Sequence, residues 1–362
     1  MSSGIQIGSV VRQFRVSGEI SSATLYGSGH INESWCVVIQ QAVGPLRFLV
    51  QRMNTRIFTR PVPLMQNIQR VTAHLAKQVE GERDQDRRVL TLIPALDGRP
   101  WHEDTDGAYW RMYRFIEDAR SFDALDSPDQ AFQAARAFGR FQRQLTTMSP
   151  PTLQDTIPDF HNTPQRFAAL VRAIESDGAG RAIDAKPEID FALARQSITS
   201  RLLDANLPER ITHNDTKINN VLFDDATNEG ICVIDLDTVM PGLAPYDFGD
   251  MVRTATSPTA EDERELSRVE MKFEFFEALV RGYLSSAGEF LTKEEKHLLA
   301  FSGKLITFEI GMRFLTDFLQ GDTYYKVHRD SHNLDRCRTQ FKLVDSIERQ
   351  EQKMNRFVES AE

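Results

Sequence analysis

Acidic and amide side chains are concentrated in residues 211–240, ITHNDTKINNVLFDDATNEGICVIDLDTVM. Asp215 precedes Asn220 by five residues, and Asp235 follows the apolar run 231–234. In phosphoryl transfer, one carboxylate accepts the proton of the attacking hydroxyl group, and an amide and a second carboxylate hold magnesium on the phosphates. Protein kinases use this spacing. The segment therefore predicts phosphoryl transfer, with a polar hairpin of solvated carboxylates as the alternative.

A second candidate site lies near the start of the chain, in YGSGHIN, between two predicted strands. Glycines at such a turn allow backbone N–H groups to approach phosphate oxygens, and nearby side chains can add donors. A plain hairpin turn has the same composition, so this segment alone is a weak indication. The predicted nucleotide contacts are Gly27, Ser28, Gly29, His30 and Asn32.

The first third of the chain predicts a small antiparallel sheet crossed by one helix. Residues 34–39 and 47–53 alternate as the strands of a hairpin, and residues 61–79 carry apolar side chains at helical spacing. Two more strands are predicted at 89–93 and 109–116. Short connections between these elements favour a mixed α and β layer.

The remainder of the chain predicts mostly helices. Ser127 with Gln130 forms a candidate capping box, and Pro164 stands where a helix can begin. Further helices are expected at 260–286, 292–320 and 333–358, with one strand pair inside 211–237. We place the boundary near residues 115–121, giving a nucleotide-binding domain at 1–117 and a catalytic and acceptor-binding domain at 118–362.

Composition excludes several classes of protein. The 362 residues carry a net charge of −9, which argues against a nucleic-acid partner. No stretch is long and apolar enough for a membrane span or a signal peptide. The 3 cysteines are isolated, as expected for reduced thiols in a cytoplasmic protein. The oligomeric state stays open, and a monomer is compatible with the sequence.

Sequence segments along nearly the whole chain resemble those of the aminoglycoside phosphotransferase and choline kinase superfamily. Within it, they are similar to the bacterial N-acetylhexosamine 1-kinases. The superfamily resemblance rests on Asp215, Asn220 and Asp235. The strings that carry the closer resemblance are YGSGHINESW, LVQRMN, FHNTPQRF, THNDTKINNVLFD, IDLDTVMPG, YDFGD and GMRFLTDFLQGDTYY.

The resemblance implies an α+β, bilobal protein-kinase-like fold, with a small N-terminal lobe of antiparallel sheet plus helix and a larger, mostly helical C-terminal lobe. It implies ATP and Mg²⁺ as cofactors and a sugar, N-acetylglucosamine or N-acetylgalactosamine, phosphorylated at the anomeric C1 hydroxyl. Asp215 corresponds to the base, and Asn220 and Asp235 correspond to the magnesium ligands. Asp237 either joins the metal site or braces it.

The nucleotide side departs from the wider kinase pattern. No lysine stands on the strand after the glycine-containing loop, where kinases hold the α- and β-phosphates. Gln51 and Arg52 are the replacements to expect at this position. The backbone of the segment between the two predicted domains is expected to contact adenine, through Phe115, Ile116 and Glu117.

The acceptor side is expected on the helix and loop of GMRFLTDFLQGDTYY. The resemblance assigns Arg313 to the sugar, against the alternative of a surface ion pair. Asp317, one turn later, either braces Arg313 or binds a hydroxyl group. Tyr324 and Tyr325 either stack on a face of the sugar or only pack within the protein. His161 is a further candidate contact, with a capping loop as the alternative.

Two alternatives to a hexosamine kinase remain. One is a related kinase that phosphorylates another sugar, an aminoglycoside or an amino alcohol, although an arginine at the acceptor site disfavours a cationic acceptor. The other is a nucleotide-binding pseudokinase, suggested by the missing lysine and disfavoured by the retained Asp215, Asn220 and Asp235.

Asp247 and Asp250 of YDFGD are expected to hold the Asp215 loop and to cap a helix.

Overall fold

A computed structural model describes residues 3–27 and 31–361. The chain forms two compact units. Unit 1 contains the residues up to Ala119 together with Met148–Ile157 and Ile231–Met240, and unit 2 contains Arg120–Thr147, Pro158–Gly230 and the chain from Pro241 onward. The roles expected for domains 1–117 and 118–362 stay predictions.

The strands are numbered in chain order: β1 Glu19–Leu25, β2 Glu33–Gln41, β3 Gly44–Arg52, β4 His102–Glu103, β5 Tyr109–Arg114, β6 Ala119–Arg120, β7 Arg210–Thr212, β8 Val221–Asp224, β9 Gly230–Val233 and β10 Met240–Gly242. The helices are α1 Ser3–Val11, α2 Pro61–Gln78, α3 Gln85–Arg88, α4 Pro128–Leu145, α5 Thr163–Ser176, α6 Lys186–Leu193, α7 Arg201–Asp204, α8 Ala244–Ala255, α9 Phe273–Ala287, α10 Lys293–His297, α11 Leu299–Leu319 and α12 His332–Ser360.

Unit 1 is built on a five-stranded antiparallel sheet with strand order β1-β2-β3-β5-β4. Val37 on β2 lies opposite Phe48 on β3, and Val50 on β3 lies opposite Met112 on β5. These four side chains belong to one buried cluster, because alternate residues of paired strands share a face. The predicted hairpin of β2 and β3 is confirmed.

Helix α2 confirms the helix expected at 61–79. Its N-terminal turn contains Pro61, and Leu64, Ile68, Val71 and Leu75 are buried at helical spacing. The strand expected at 89–93 is wrong. That segment makes only a single bridge, from Leu92 to Tyr113 of β5. Pro94 follows and has no N–H to donate, so the ladder does not continue.

Unit 2 is mostly helical. One buried cluster of this unit joins α5, α6, α11 and α12 through residues such as Leu170, Ile189, Phe308 and Val344. The helix expected at 292–320 is divided, since α10 ends at His297 and α11 begins at Leu299. The helix expected at 260–286 begins only at Phe273, because the preceding segment is dense in charge and contains a 3₁₀ turn.

The α+β fold class is confirmed, with an antiparallel sheet in the N-terminal part and helices in the C-terminal part. In the described ranges, no helix is both long enough and apolar enough to cross a membrane.

The contact between α4 and α9 depends on small residues. A Cβ atom at Gly282 would lie inside contact distance of the backbone oxygen of Phe132, and one at Gly139 would lie 2.8 Å from the backbone oxygen of Tyr283. Backbone atoms cannot move aside as a flexible side chain does, so the two helices approach only because these positions lack a side chain.

Gly282→Ala is expected to destabilise the protein. Overpacking costs about 1–3 kcal/mol, offset only in part by the roughly 1 kcal/mol that alanine gains over glycine in a helix. Thermal unfolding of the variant should therefore occur at lower temperature. Gly178→Ala is the matched control, because a Cβ atom there meets nothing within 4 Å. Equal unfolding temperatures for both variants would contradict the packing argument.

Candidate active site

The loop of residues 213–220, named here the Asp215 loop, is held by a buried carboxylate in unit 2. Asp247 Oδ2 accepts the backbone N–H of His213 at 2.9 Å, and Oδ1 accepts that of Asn214 at 2.7 Å. Gln142 Nε2 donates to the same carboxylate at 2.5 Å. Burial raises the pKa of Asp247, and these donors oppose that shift. The expected loop-holding role of Asp247 is confirmed.

The helix-capping role expected for Asp247 and Asp250 is wrong. Helix α8 begins at Ala244, so both residues lie within it and not at its cap. Asp250 instead pairs with Arg253, whose Nε lies 2.7 Å from Oδ1. Both side chains of this pair are buried, and Arg253 also reaches Glu261 at 2.8 Å.

Asn214 has a left-handed backbone with φ of +63°. Such a conformation costs free energy for a residue with a side chain and persists where surroundings impose it. Here the N–H is bound by Asp247, and the side-chain oxygen accepts a hydrogen bond from Thr212 at 2.8 Å. The carbonyl oxygen lies 3.0 Å from His161 Nε2. The residue before Asp215 is therefore fixed at three points.

Asp215 presents a partly exposed carboxylate, with 21 % of the side chain accessible. Lys217 Nζ lies 3.0 Å from Oδ2. Burial alone would raise the pKa of Asp215, but the charges of Lys217 and Arg253 lower it below its ordinary value. The carboxylate is therefore ionised at neutral pH and open to accept a proton.

Asn220 is buried with its amide group oriented by the backbone. Its Nδ2 donates to the carbonyl oxygen of Asp215 at 2.8 Å. The side-chain oxygen Oδ1 is therefore available as a metal ligand. Magnesium prefers such hard oxygen ligands and keeps several waters, so Asn220 fits a place in a magnesium site. Within the described ranges, no group of three or more His, Cys, Asp and Glu residues could hold a metal ion.

In unit 1, Arg111 of β5 contacts two of the predicted site residues, Asp237 and Gln51. It forms a buried ion pair with both oxygens of Asp237, and its Nε donates to Gln51 Oε1 at 2.8 Å. Asn32 Nδ2 donates to Asp237 Oδ2 at 2.6 Å. Burial alone would lower the pKa of Arg111, but Asp237 raises it. The sequence motifs did not identify Arg111 as the partner of Asp237. The available signal was an arginine within the buried strand YWRMYR.

Asp235 lies in unit 1, after β9, and begins a short turn at a left-handed φ of +58°. Asp235 is an exposed residue. Asp237, two residues later, is only 3 % exposed. The two acidic residues of IDLD therefore differ in burial, with Asp235 exposed and Asp237 buried.

The other predicted nucleotide contacts also lie in unit 1. Gly27 has a φ of +81°, and Arg52 is an exposed side chain 3.5 Å from Glu33. Phe115 makes an edge contact with Tyr26 at 5.3 Å between ring centroids. Ile116 is buried, and the Glu117 carboxylate pairs with Arg47. Ser28, Gly29 and His30 lie outside the described residues, and the binding roles of this set stay predictions.

Asp317 on α11 organises the loop that follows the helix. Its two oxygens accept the backbone N–H groups of Thr323 at 2.9 Å, Tyr324 at 2.8 Å and Tyr325 at 2.9 Å. Asn333 Nδ2 adds a fourth bond at 2.9 Å. The carboxylate thereby fixes the backbone of both predicted tyrosines, and its own contact with substrate stays a prediction.

Arg313 lies one turn before Asp317 and is surrounded by rings. Its guanidinium carbon is 5.4 Å from the centre of the Phe160 ring, 6.0 Å from that of Tyr324 and 5.9 Å from that of Tyr325. Its side chain makes neither a hydrogen bond nor an ion pair with the described residues, so the expected alternative of a surface ion pair is wrong. Arg313 is thus a half-buried cation without an anionic partner.

Arg166 brings a second cation to the same place. Its Nη2 donates to the carbonyl oxygen of Phe160 at 3.0 Å, and its buried Nε has no partner among the described residues. Burial and the nearby charge of Arg313 lower the pKa of Arg166. The acceptor side predicted from sequence therefore contains two guanidinium groups close enough to influence each other.

His161 is bound on both sides of its ring. Nδ1 lies 2.9 Å from Glu309 Oε1, and Nε2 lies 3.0 Å from the carbonyl oxygen of Asn214. Glu309 is fully buried on α11, one turn before Arg313. Sequence reasoning missed Glu309, although a glutamate within the apolar run LITFEIGM was a visible signal. The predicted substrate contact of His161 stays a prediction.

Several solved structures are similar to the chain. An aminoglycoside phosphotransferase from Alicyclobacillus acidocaldarius is 13% identical with a TM-score of 0.64, and the match covers 98% of this chain and 96% of that chain. A spectinomycin phosphotransferase in complex with ADP and spectinomycin is 12% identical with a TM-score of 0.62, covering 97% and 99%. A choline kinase from Cryptosporidium parvum is 15% identical with a TM-score of 0.56, covering 97% of each chain. At such identities the similarity establishes the fold alone.

The sequence profile of one family matches a long continuous part of the chain. That family is described as the phosphotransferase enzyme family, and residues 22–285 are matched. The matched range includes the Asp215 loop, the Asp247 carboxylate that holds it and the Arg111–Asp237 pair. Since the match covers more than half of the chain, the protein belongs to the phosphotransferase enzyme family.

Proposed function

We propose that the protein transfers the γ-phosphoryl group of ATP to the anomeric C1 hydroxyl of an N-acetylhexosamine, N-acetylglucosamine or N-acetylgalactosamine. The observation that carries the proposal is the ionised, partly exposed Asp215 carboxylate on a loop fixed by Asp247. Membership of the phosphotransferase family supports the reaction class. The sequence segments that resemble the N-acetylhexosamine 1-kinases support an N-acetylhexosamine as the acceptor.

In the proposed reaction, Asp215 accepts the proton of the acceptor hydroxyl as its oxygen attacks the γ-phosphorus. A bond forms between that oxygen and phosphorus, the bond from phosphorus to the β–γ bridging oxygen breaks, and ADP leaves with the electron pair. Asp215 then returns its proton to solvent. Lys217, at 3.0 Å, lowers the pKa of Asp215 and so favours the ionised carboxylate.

The order and spacing of Asp215, Asn220 and Asp235 along the chain support Asn220 and Asp235 as the magnesium ligands. Bound Mg²⁺ would neutralise negative charge on the phosphates. We assign Asp237 to bracing, because Arg111 and Asn32 occupy both of its oxygens. Gln51, held by Arg111, belongs to the same brace.

The nucleotide is assigned to the loop that contains Gly27 and to the segment 115–117, as the sequence predicted. Gly27 has the positive φ that a phosphate-approaching turn requires. Arg52 has an exposed guanidinium group that can reach solvent-side phosphate oxygens. Phosphate contacts through Arg52 would replace the lysine that other kinases place here.

The charge of the acceptor side favours an uncharged sugar. Similar structures are described as an aminopropanol kinase, an ethanolamine kinase and a choline kinase, and these names denote acceptors that carry an amine or quaternary ammonium group. Arg313 and Arg166 would repel such a cation. Arginine suits hydroxyl and acetamide oxygens as a donor, and exposed Tyr324 can cover a sugar face.

The proposal is tested by an acceptor panel with product NMR. N-acetylhexosamines should be phosphorylated at C1, whereas choline, ethanolamine and aminoglycosides should not react. Asp215→Asn should lower kcat about 100-fold or more, because general-base catalysis contributes at least that much. Asp190→Asn, at an exposed pair with Lys186, is the matched control. Phosphorylation of an amine acceptor in preference to the sugars would support the related-kinase alternative, and no turnover with any acceptor would support the pseudokinase.

Lys217→Met is expected to move the acidic limb of the pH–kcat profile to higher pH. Lys217 lowers the pKa of Asp215, so its removal lets the base protonate at higher pH, and activity is lost sooner as pH falls. Lys186→Met serves as the control, since that exposed lysine pairs with Asp190. An unchanged acidic limb in Lys217→Met would contradict the assignment of Asp215 as the titrating base.

The two acidic residues of IDLD are expected to respond differently to substitution. Asp235→Asn should raise the Mg²⁺ concentration needed for half-maximal activity by about tenfold or more. Asp237→Asn should leave it unchanged and instead destabilise the fold by about 3–5 kcal/mol, because Arg111 is left as an unpaired buried charge. Magnesium titrations and thermal unfolding separate the two effects. A raised magnesium requirement in Asp237→Asn would show that Asp237 is a ligand.

A further inference from the structure

Both ring nitrogens of His161 face oxygen atoms, one of a carboxyl group and one of a backbone carbonyl group. Nδ1 is 2.9 Å from a carboxylate oxygen of Glu309, and Nε2 is 3.0 Å from the carbonyl oxygen of Asn214. A neutral imidazole has one N–H group and one lone pair, so it could satisfy only one of these acceptors. His161 lowers the pKa of Glu309, so the carboxylate is ionised and accepts. With Glu309 ionised, both contacts are satisfied only when both ring nitrogens carry protons, and we infer that His161 is an imidazolium cation.

The cation and its carboxylate partner are enclosed within unit 2. His161 is 6 % exposed and Glu309 is 0 % exposed. The second oxygen of Glu309 accepts a hydrogen bond from Thr163 at 2.5 Å. The ring of Tyr246 packs at 4.9 Å and that of Phe160 at 4.8 Å from the imidazole. Water is therefore kept from an ion pair whose hydrogen bonds are all made by protein groups.

The charged groups around this pair favour the protonated ring. Burial alone would lower the pKa of His161, but Glu309 raises it, with smaller contributions from the Asn214 carbonyl and the Asp250 carboxylate. His161 in turn lowers the pKa of Glu309 against the effect of burial, and Arg313 acts in the same direction. The other titratable groups that face the pair are Tyr246 and Arg166.

The carbonyl that His161 binds belongs to the peptide group joining Asn214 to Asp215. The N–H of the same peptide group donates to His213 Nδ1 at 3.3 Å. A change in ψ of Asn214 that is not compensated at Asp215 would rotate this peptide plane, move the Cα atom of Asp215 and redirect its carboxylate. Since Asn214 has a φ of +63°, the plane needs such external bonds to hold its orientation.

We propose that His161 is a positioning residue: as an imidazolium held by Glu309, it fixes the 214–215 peptide plane and so aims Asp215 at the acceptor hydroxyl. This inference rests on the proposed role of Asp215 as the base. The occupied ring nitrogens give His161 this role in place of a direct contact with the sugar. Because Glu309 and Arg313 lie one turn apart on α11, one helix supports both the base and the acceptor side.

The first test changes the charge and keeps the shape. In Glu309→Gln, the amide oxygen can still accept from His161, but the negative charge is lost, so the pKa of His161 falls. The alkaline limb of the pH–kcat profile should move to lower pH, because the imidazolium is lost sooner as pH rises. Glu295→Gln is the matched control, since Glu295 is equally buried and pairs with Arg210 at 2.8 Å. An alkaline limb that moves in neither variant, or equally in both, overturns the proposal.

The second test separates positioning from sugar binding. His161→Gln should lower kcat about 10- to 100-fold, as expected for a misplaced catalytic group, with KM for sugar and for ATP nearly unchanged. A raised KM for the sugar with unchanged kcat would show a direct substrate contact and overturn the proposal. His297→Gln, an exposed histidine with 65% of its side chain accessible, is the control.

The third measurement does not depend on activity. In ¹⁵N NMR of the wild-type protein, both ring nitrogens of His161 should be protonated at neutral pH, and the amide of Asp215 should exchange with solvent faster in His161→Gln than in the wild type. A neutral His161 ring, or unchanged exchange at Asp215, overturns the positioning role even in an active enzyme. Conversely, a charged ring and faster exchange together with no phosphoryl transfer to any acceptor would leave the positioning of the loop intact and reject the proposed function.

Discussion

The buried carboxylate of Asp247 is the constraint on which the rest of the Asp215 loop depends. Two successive backbone N–H groups point at its two oxygens. This arrangement fixes the backbone where a left-handed residue precedes Asp215, and a flexible loop would not hold that conformation. The carboxylate stays in place because it lies on α8 and Gln142 of α4 binds it as well. A rigid helical framework thus sets the position of one exposed acidic side chain.

Buried charges in both units are matched by partners. In unit 1, Arg111 and Asp237 neutralise each other inside the sheet. In unit 2, His161 pairs with Glu309, and Arg253 pairs with Asp250. Breaking any of these pairs would leave a charge without compensation in a poorly solvated place. Asp215 and Arg313 are less enclosed by partners. Asp215 keeps an exposed face beside Lys217, and the Arg313 guanidinium group faces aromatic rings. Those are the groups proposed to meet the acceptor.

Local sequence patterns were sufficient for the parts of the structure that depend on local interactions. The hairpin of β2 and β3, the helix α2 and the start of α5 follow from alternation, helical spacing and Pro164. The order of Asp215, Asn220 and Asp235 indicated the chemistry because all three belong to one short segment. Periodicity failed at 89–93, where Pro94 interrupts pairing, and at 260–272, where charge density replaces an apolar stripe.

Partners distant in sequence could not be identified from one chain. Arg111 meets Asp237 across 126 positions, and His161 meets Glu309 across 148. An isolated arginine in a strand or glutamate in a helix shows that a buried charge needs a partner, but not which residue supplies it. A crystal structure with magnesium, a non-hydrolysable ATP analogue and N-acetylglucosamine would show whether Asp215 is the base for C1 phosphorylation. We expect the C1 hydroxyl within hydrogen-bond distance of Asp215 and magnesium bound to Asn220 Oδ1. A different hydroxyl at Asp215, or a sugar bound away from it, would contradict this role of Asp215.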